Sequence, residues 1–168
     1  MTQSHGISRS GASVEDDFRR LTGAAKADRA ALGDALLDGR YVEVKRASSN
    51  TLNQVRAVKY IPLVAYYEPK AQWYVVPASE VVRQCARRSR GQHTENPFES
   101  ATLSIRDLGT SAVPAGSNLK ACVLKAIEEA DRYPKLRELM DQVLLESTDL
   151  AASSVARVRD ALRDSGLL

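Results

Sequence analysis

The sequence predicts an α/β fold, and three observations support it. Two pairs of strand-like runs are each joined by a short turn: "ALLDGRYVEVK" at 35–45, and "IPLVAYYE" with "QWYVVP" around "PKA". Apolar residues at helical spacing precede each pair, giving the order helix, strand, strand, helix, strand, strand. From Asn118 onward three further amphipathic stripes follow one another.

Composition bounds the class. A chain of 168 residues with 27% charged and 43% hydrophobic residues is a soluble, globular type, long enough for one domain with a helical appendage. No apolar run approaches membrane-spanning length, and "MTQSHGISRSGAS" lacks the apolar core of a signal peptide, so a cytoplasmic location is expected. Abundant Ala and Arg with few Lys suggest a G+C-rich bacterial or phage source. Cys85 and Cys122 lie far apart without nearby histidines, the pattern of two buried thiols rather than a disulfide or zinc site. The net charge of +3 permits a polyanionic partner without requiring one. Its distribution is more informative: "RQCARRSRGQH" gathers Arg83, Arg87, Arg88, Arg90 and His93.

The elements follow in order. Residues 1–12 are small and polar and read as a flexible tail. "SVEDDFRRLTG" is a helix with Ser13 as N-cap candidate, a stripe of Val14, Phe18 and Leu21, and Gly23 as its stop. The segment 24–32 fits either a longer helix or a loop. After the first hairpin, "SSNTLNQVRAVKY" reads as a capped helix with Leu52, Val55 and Val58 or Lys59 at helical spacing. The second hairpin leads into a helix from about Ser79 to Arg88, then a loop-rich stretch with one strand near Thr102–Ile105. Three helices close the chain: Leu119, Val123, Ala126 and Ile127; Leu136, Leu139, Met140, Val143 and Leu144; Val155, Val158 and Leu162. The organisation is a tail at 1–12, a core at 13–110 and a C-terminal helical region at 111–168.

The first hairpin holds the chemistry. Asp38-Gly39 is a two-residue turn signal, so pairing can be counted outward: Leu37 opposite Arg40, Leu36 opposite Tyr41, Ala35 opposite Val42, Asp34 opposite Glu43. Alternation puts Ala35, Leu37, Val42 and Val44 on a core face and Asp34, Glu43 and Lys45 on the other. Facing carboxylates on paired strands repel, and must be exposed, share a proton or hold a cation. A Mg²⁺ ion, with its preference for carboxylate oxygens and retained waters, would resolve the conflict. Lys45 points at the same spot, where it would stabilise developing negative charge. The competing reading is an exposed strand with ordinary surface charges.

With "GD" at Gly33-Asp34 and "EVK" at Glu43-Val44-Lys45, the sequence resembles the PD-(D/E)XK nuclease superfamily, which includes restriction endonucleases and Holliday junction resolvases. Gly33 stands where that family often has proline. The resemblance covers roughly residues 11–88. It implies a restriction-endonuclease-like core, a mixed central sheet flanked by helices, followed by a C-terminal helical extension. It further implies metal ligation by Asp34, Glu43 and the Val44 carbonyl, with Mg²⁺ as cofactor and Mn²⁺ as substitute, and a catalytic role for Lys45. Glu15 matches an additional site residue of the family, a helix-dipole carboxylate being the other reading and Asp16 and Asp17 its rivals. Gln54 matches a glutamine that many relatives place on the helix after the E-x-K strand.

The expected activity is metal-dependent DNA endonuclease cleavage, Holliday junction resolvase-like or restriction-like, with RNA as an alternative substrate. The rival is a non-catalytic nucleic-acid-binding or protein-interaction module on a nuclease-like fold. Arg46, Ser48, Arg56, Arg87, Arg88 and Arg90 are candidates for phosphate contact. A solvated helix face remains the other reading of the arginine cluster, and helix capping that of Ser48. Cutting both strands favours a homodimer, with the C-terminal helices as its interface.

Overall fold

A helix needs a partner for its first free N–H groups, and Ser10 supplies one: its Oγ accepts from the Ser13 N–H at 3.1 Å, so α1 runs Gly11–Thr22, three residues ahead of the expected Ser13 cap. The computed structural model describes residues 10–145 and 152–168, and most of the tail expected at 1–12 lies outside them. Gly23 ends α1 at φ 74°, a left-handed conformation glycine adopts without steric cost. The buried stripe is Val14, Phe18 and Thr22, while Leu21, expected inside, is 48% exposed. At 3.6 residues per turn Leu21 projects at the outer edge of this stripe, on the far side of Val14 from Phe18 and Thr22.

Segment 24–32 resolves into a two-residue strand β1, Ala25–Lys26, and a turn. The hairpin of β2 (Ala35–Leu37) and β3 (Arg40–Ala47) has the counted register, Leu37↔Arg40, Leu36↔Tyr41 and Ala35↔Val42. Asp38 and Gly39 have φ 49° and 74°, the positive pair a primed two-residue turn requires.

The helix expected over Ser48–Tyr60 is absent. In its place stand β4, Thr51–Val55, and a single 3-10 turn, Ala57–Lys59. Leu52 and Val55 are buried with exposed neighbours, but the register of β4 against β7 shifts between them. An irregularity of this kind moves the inward position from every second to every third residue, which mimics one step of a helical stripe.

β5 (Leu63–Tyr67) and β6 (Gln72–Val76) form the second hairpin, and α2 follows at Ala78–Ala86. β7, Ala101–Ser104, pairs with β4 in a two-stranded sheet. Then come α3 (Leu119–Ala130), α4 (Pro134–Leu145) and α5 (Ala152–Asp164), in the order predicted.

The main sheet is mixed, in the order β1-β2-β3-β5-β6, with β3 and β5 parallel and the other neighbours antiparallel. Val42, Val44, Val64 and Val75 form one apolar face, covered by Val14 and Phe18 of α1 and Leu119, Val123 and Ile127 of α3. The opposite face, with Leu63, Ala65, Tyr74 and Val76, packs with Val81, Val82 and Cys85 of α2 and with Leu136, Met140, Val158 and Leu162 of α4 and α5. Helices therefore flank both faces of a mixed sheet in an α/β chain, and the C-terminal helices complete both halves of its core. Trp73 tilts against Phe18 and Tyr66, with ring centroids 6.4 and 4.9 Å away, and serves packing. Cys85 and Cys122 are free thiols, and burial pushes the Cys85 thiol up to about 12. Among the described residues no helix is long and apolar enough to cross a membrane.

Candidate active site

The counted pairing stops at Ala35↔Val42, one step short of Asp34. The Asp34 N–H donates to the Val42 carbonyl at 2.9 Å instead of continuing the ladder toward Glu43. Where β2 leaves β3, the Val44 N–H loses its strand partner, and the Asp34 carboxylate replaces it, accepting through Oδ2 at 2.8 Å. The Asp34 side chain is thereby pinned to the strand that carries Glu43 and Lys45. Gly33 permits the close passage: a Cβ there would lie 3.0 Å from Tyr41 Cβ and 3.1 Å from the Val42 carbonyl oxygen. A strand residue's N–H and C=O point to the same side, so the Val44 carbonyl also faces Asp34. On the other flank of β3, the Glu43 N–H donates to the Pro62 carbonyl at 3.0 Å.

Glu43 holds two cations. Lys59 Nζ donates to Oε2 at 2.8 Å, and Lys45 Nζ stands 3.6 Å from Oε1. All three side chains are largely withdrawn from water, at 14% exposure for Glu43, 14% for Lys59 and 20% for Lys45. Lys59 is the member that sequence reasoning missed. It arrives on the 3-10 turn, 16 residues beyond Glu43, and nothing local in the sequence couples the two.

Glu15 joins from α1. It lies in the second turn, past the first-turn positions that serve the helix dipole. Burial pushes its carboxyl above the usual range, and the charge of Asp34 adds to the rise, with a smaller contribution from Glu43. Asp34 is also pushed up, chiefly by burial; the Val44 N–H works against this, Glu43 with it, and Lys59 and Lys45 against it. Three carboxylates thus share one end of the sheet with two ammonium groups.

Gln54 is not part of this assembly. It lies exposed on β4 in the two-stranded sheet, at φ 52°, and its N–H donates to Gln92 Oε1 at 2.7 Å. The expected helix after the E-x-K strand does not form, so there is no helical position to bring this glutamine to the carboxylates.

The proposed phosphate contacts are mostly engaged within the chain. Arg46 pairs with Glu68 at 2.6 Å, Arg56 Nε donates to the Glu99 carbonyl at 3.2 Å, Arg88 pairs with Asp107 at 3.2 Å, and Arg90 lies 4.0 Å from Glu95. Ser48 and Arg87 are exposed, Ser48 just past the end of β3 and Arg87 at the C-cap of α2.

Among the described residues, no group of three or more His, Cys, Asp or Glu side chains is arranged to hold a metal ion. The donor chemistry nonetheless suits a hard divalent cation: two carboxylates and a backbone carbonyl, with an ammonium already in a cation's place on Glu43. Comparison with protein-family models, curated proteins and solved structures returns no match to this chain.

Proposed function

We propose that the protein is a divalent-metal-dependent endonuclease that hydrolyses DNA phosphodiester bonds, built on a restriction-endonuclease-like core of the PD-(D/E)XK type. One observation carries this reading. Asp34 is tied to the Val44 N–H where β2 departs from β3, which holds its carboxylate near Glu43 and Lys45.

Asp34, Glu43 and the Val44 carbonyl would hold Mg²⁺, with Mn²⁺ as substitute. The bound ion would supply charge neutralisation at the phosphate and lower the pKa of a coordinated water. Lys45 stays close to the carboxylates and offers a fixed positive charge to the phosphoryl oxygens. Glu15, already partly desolvated, would accept a proton or orient a water. Ser48 and the exposed Arg87 are the readiest contacts for a phosphate backbone, whereas Arg46, Arg56, Arg88 and Arg90 would first have to exchange internal partners. Duplex cleavage calls for two copies of this chain, joined through the C-terminal helices in a cytoplasmic homodimer.

A second reading has its own observation. With Lys59 and Lys45 both on Glu43, the carboxylate is already neutralised, as in a nuclease-like module that binds nucleic acid without cutting it.

Cleavage assays separate the two. Supercoiled plasmid, linear duplex and a four-way junction are incubated with Mg²⁺, Mn²⁺ or chelator, using wild type and Lys45→Ala. Metal-dependent cutting, reduced at least about a hundredfold in the variant, is the expected result. Binding without cutting on every substrate, single-stranded DNA and RNA included, would favour the module.

A further inference from the structure

The three acids of the site are not equally provided for. Asp34 receives a backbone N–H, and Glu15 sits at the edge with its charge disfavoured by burial, yet Glu43 alone has two lysines. One of the two comes from outside the motif. Lys59 sits on a 3-10 turn positioned by distant parts of the chain: the neighbouring Val58 N–H donates to the Phe98 carbonyl at 3.0 Å, and the Tyr60 hydroxyl donates to the Ala130 carbonyl at 3.3 Å. Its ammonium is therefore delivered to Glu43 Oε2 by the tertiary fold.

Lys59 also borders open space. A cavity of about 190 Å³, lined by Arg40, Tyr41, Lys59, Tyr60, Pro62 and Arg137 among others, lies beside it. A flexible four-carbon stem at the wall of such a cavity can withdraw its head group without disturbing the backbone. The cavity's own arginines are already tied to an acid, Arg40 to Asp131 at 3.0 and 3.2 Å and Arg137 to Asp131 at 3.4 Å.

We infer that Lys59 is the resident counter-ion of Glu43, a positioning residue whose ammonium holds carboxylate Oε2 and gives way to an incoming divalent cation. The inference rests on the nuclease reading for the identity of the ion, and on the geometry for the competition. A divalent ion on Glu43 would set its charge against the ammonium on Oε2 and compete with it for the same carboxylate, so metal affinity would include the cost of displacing this ion pair. In exchange, the site avoids two unneutralised, half-buried carboxylates when no metal is bound. Lys45, at 3.6 Å from the other oxygen, does not obstruct in the same way.

Calorimetric titration of the full chain with Mn²⁺ tests this, comparing wild type, Lys59→Met, Lys59→Arg and Lys45→Met, with melting curves in chelator and in saturating Mn²⁺. Lys59→Met keeps the side chain's length and removes its charge. The expected result is about tenfold tighter Mn²⁺ binding in Lys59→Met, a lower Tm in chelator and a larger metal-induced rise in Tm. Lys59→Arg should stay near wild type, and Lys45→Met should change affinity less than Lys59→Met. If wild type binds Mn²⁺ and Lys59→Met binds it equally or more weakly, the counter-ion role is overturned and the nuclease reading survives. Binding gained only in Lys59→Met would uphold the competition while removing metal-dependent catalysis from the native protein. No binding by either chain overturns both.

Discussion

Two charged neighbourhoods in this molecule are built on opposite terms. Around the end of α2, three arginines each have an acid of their own, Arg83 with Glu80 at 2.6 Å, Arg88 with Asp107 at 3.2 Å and Arg90 with Glu95 at 4.0 Å, while Arg87 is exposed. At the splayed end of β2 and β3, Glu15, Asp34 and Glu43 share Lys45 and Lys59, and the acids are in surplus. Of these pairs Arg90–Glu95 is exposed, Arg88–Asp107 partly so and Arg83–Glu80 the most covered, and solvent would tolerate separation of the first two. The sheet-end group is half-buried, so its imbalance is costly wherever no further cation is supplied. An electrostatic imbalance retained in a desolvated place marks a site more clearly than a dense cluster of arginines does.

The sharpest break of this contrast is Glu43→Ala, which strands two lysines with little access to water. Chelator-treated protein should lose about 2–3 kcal/mol in urea unfolding, less than a fully buried pair because the group retains some exposure. Asp34→Asn goes the other way. The amide oxygen still accepts from the Val44 N–H, and the charge disfavoured by burial is gone, so Tm without metal should rise while Mn²⁺ binding falls at least about tenfold.

The pH dependence sharpens the comparison further. The carboxyls of Asp34 and Glu15 are raised in the fold above their usual values of 3.8 and 4.5. Folding therefore favours their protonated forms. Their contribution to stability is complete below the unfolded values and is lost as pH rises through the raised folded ones. Melting curves in chelator should accordingly show the stability advantage of Asp34→Asn over wild type shrinking as pH falls from 7 toward 4. A constant advantage would place its origin elsewhere. The smallest effect belongs to the other neighbourhood: Arg88→Ala and Arg90→Ala should each cost under about 0.5 kcal/mol, vanishing in high salt.

Much of the site was readable because its decisive part is local. The Asp38-Gly39 turn dictates the hairpin register, and the register brings Asp34 near Glu43 and Lys45. The departures have equally specific causes. The register shift in β4 gave Leu52 and Val55 a helical interval, which moved Gln54 from a helix onto a strand. The parallel pairing of β3 with β5, the partners of the arginines and the approach of Lys59 depend on contacts between remote segments, which leave no periodic trace.

The seat of Lys59 has one more consequence, in the order in which the protein assembles. Asp34, Glu43 and Lys45 lie on a hairpin whose ends are close in sequence, a kind of unit that forms in about 1–10 μs in isolation. The turn bearing Lys59 closes on local bonds, Lys59 to Arg56 and Tyr60 to Ala57, but is seated by contacts such as Tyr60 to Ala130, 70 positions apart, whose loop-closure entropy delays them. This predicts that in refolding Asp34 and Glu43 come together before Lys59 reaches them. On the proposed metal-binding reading, a divalent ion added before folding should therefore load faster than one added after.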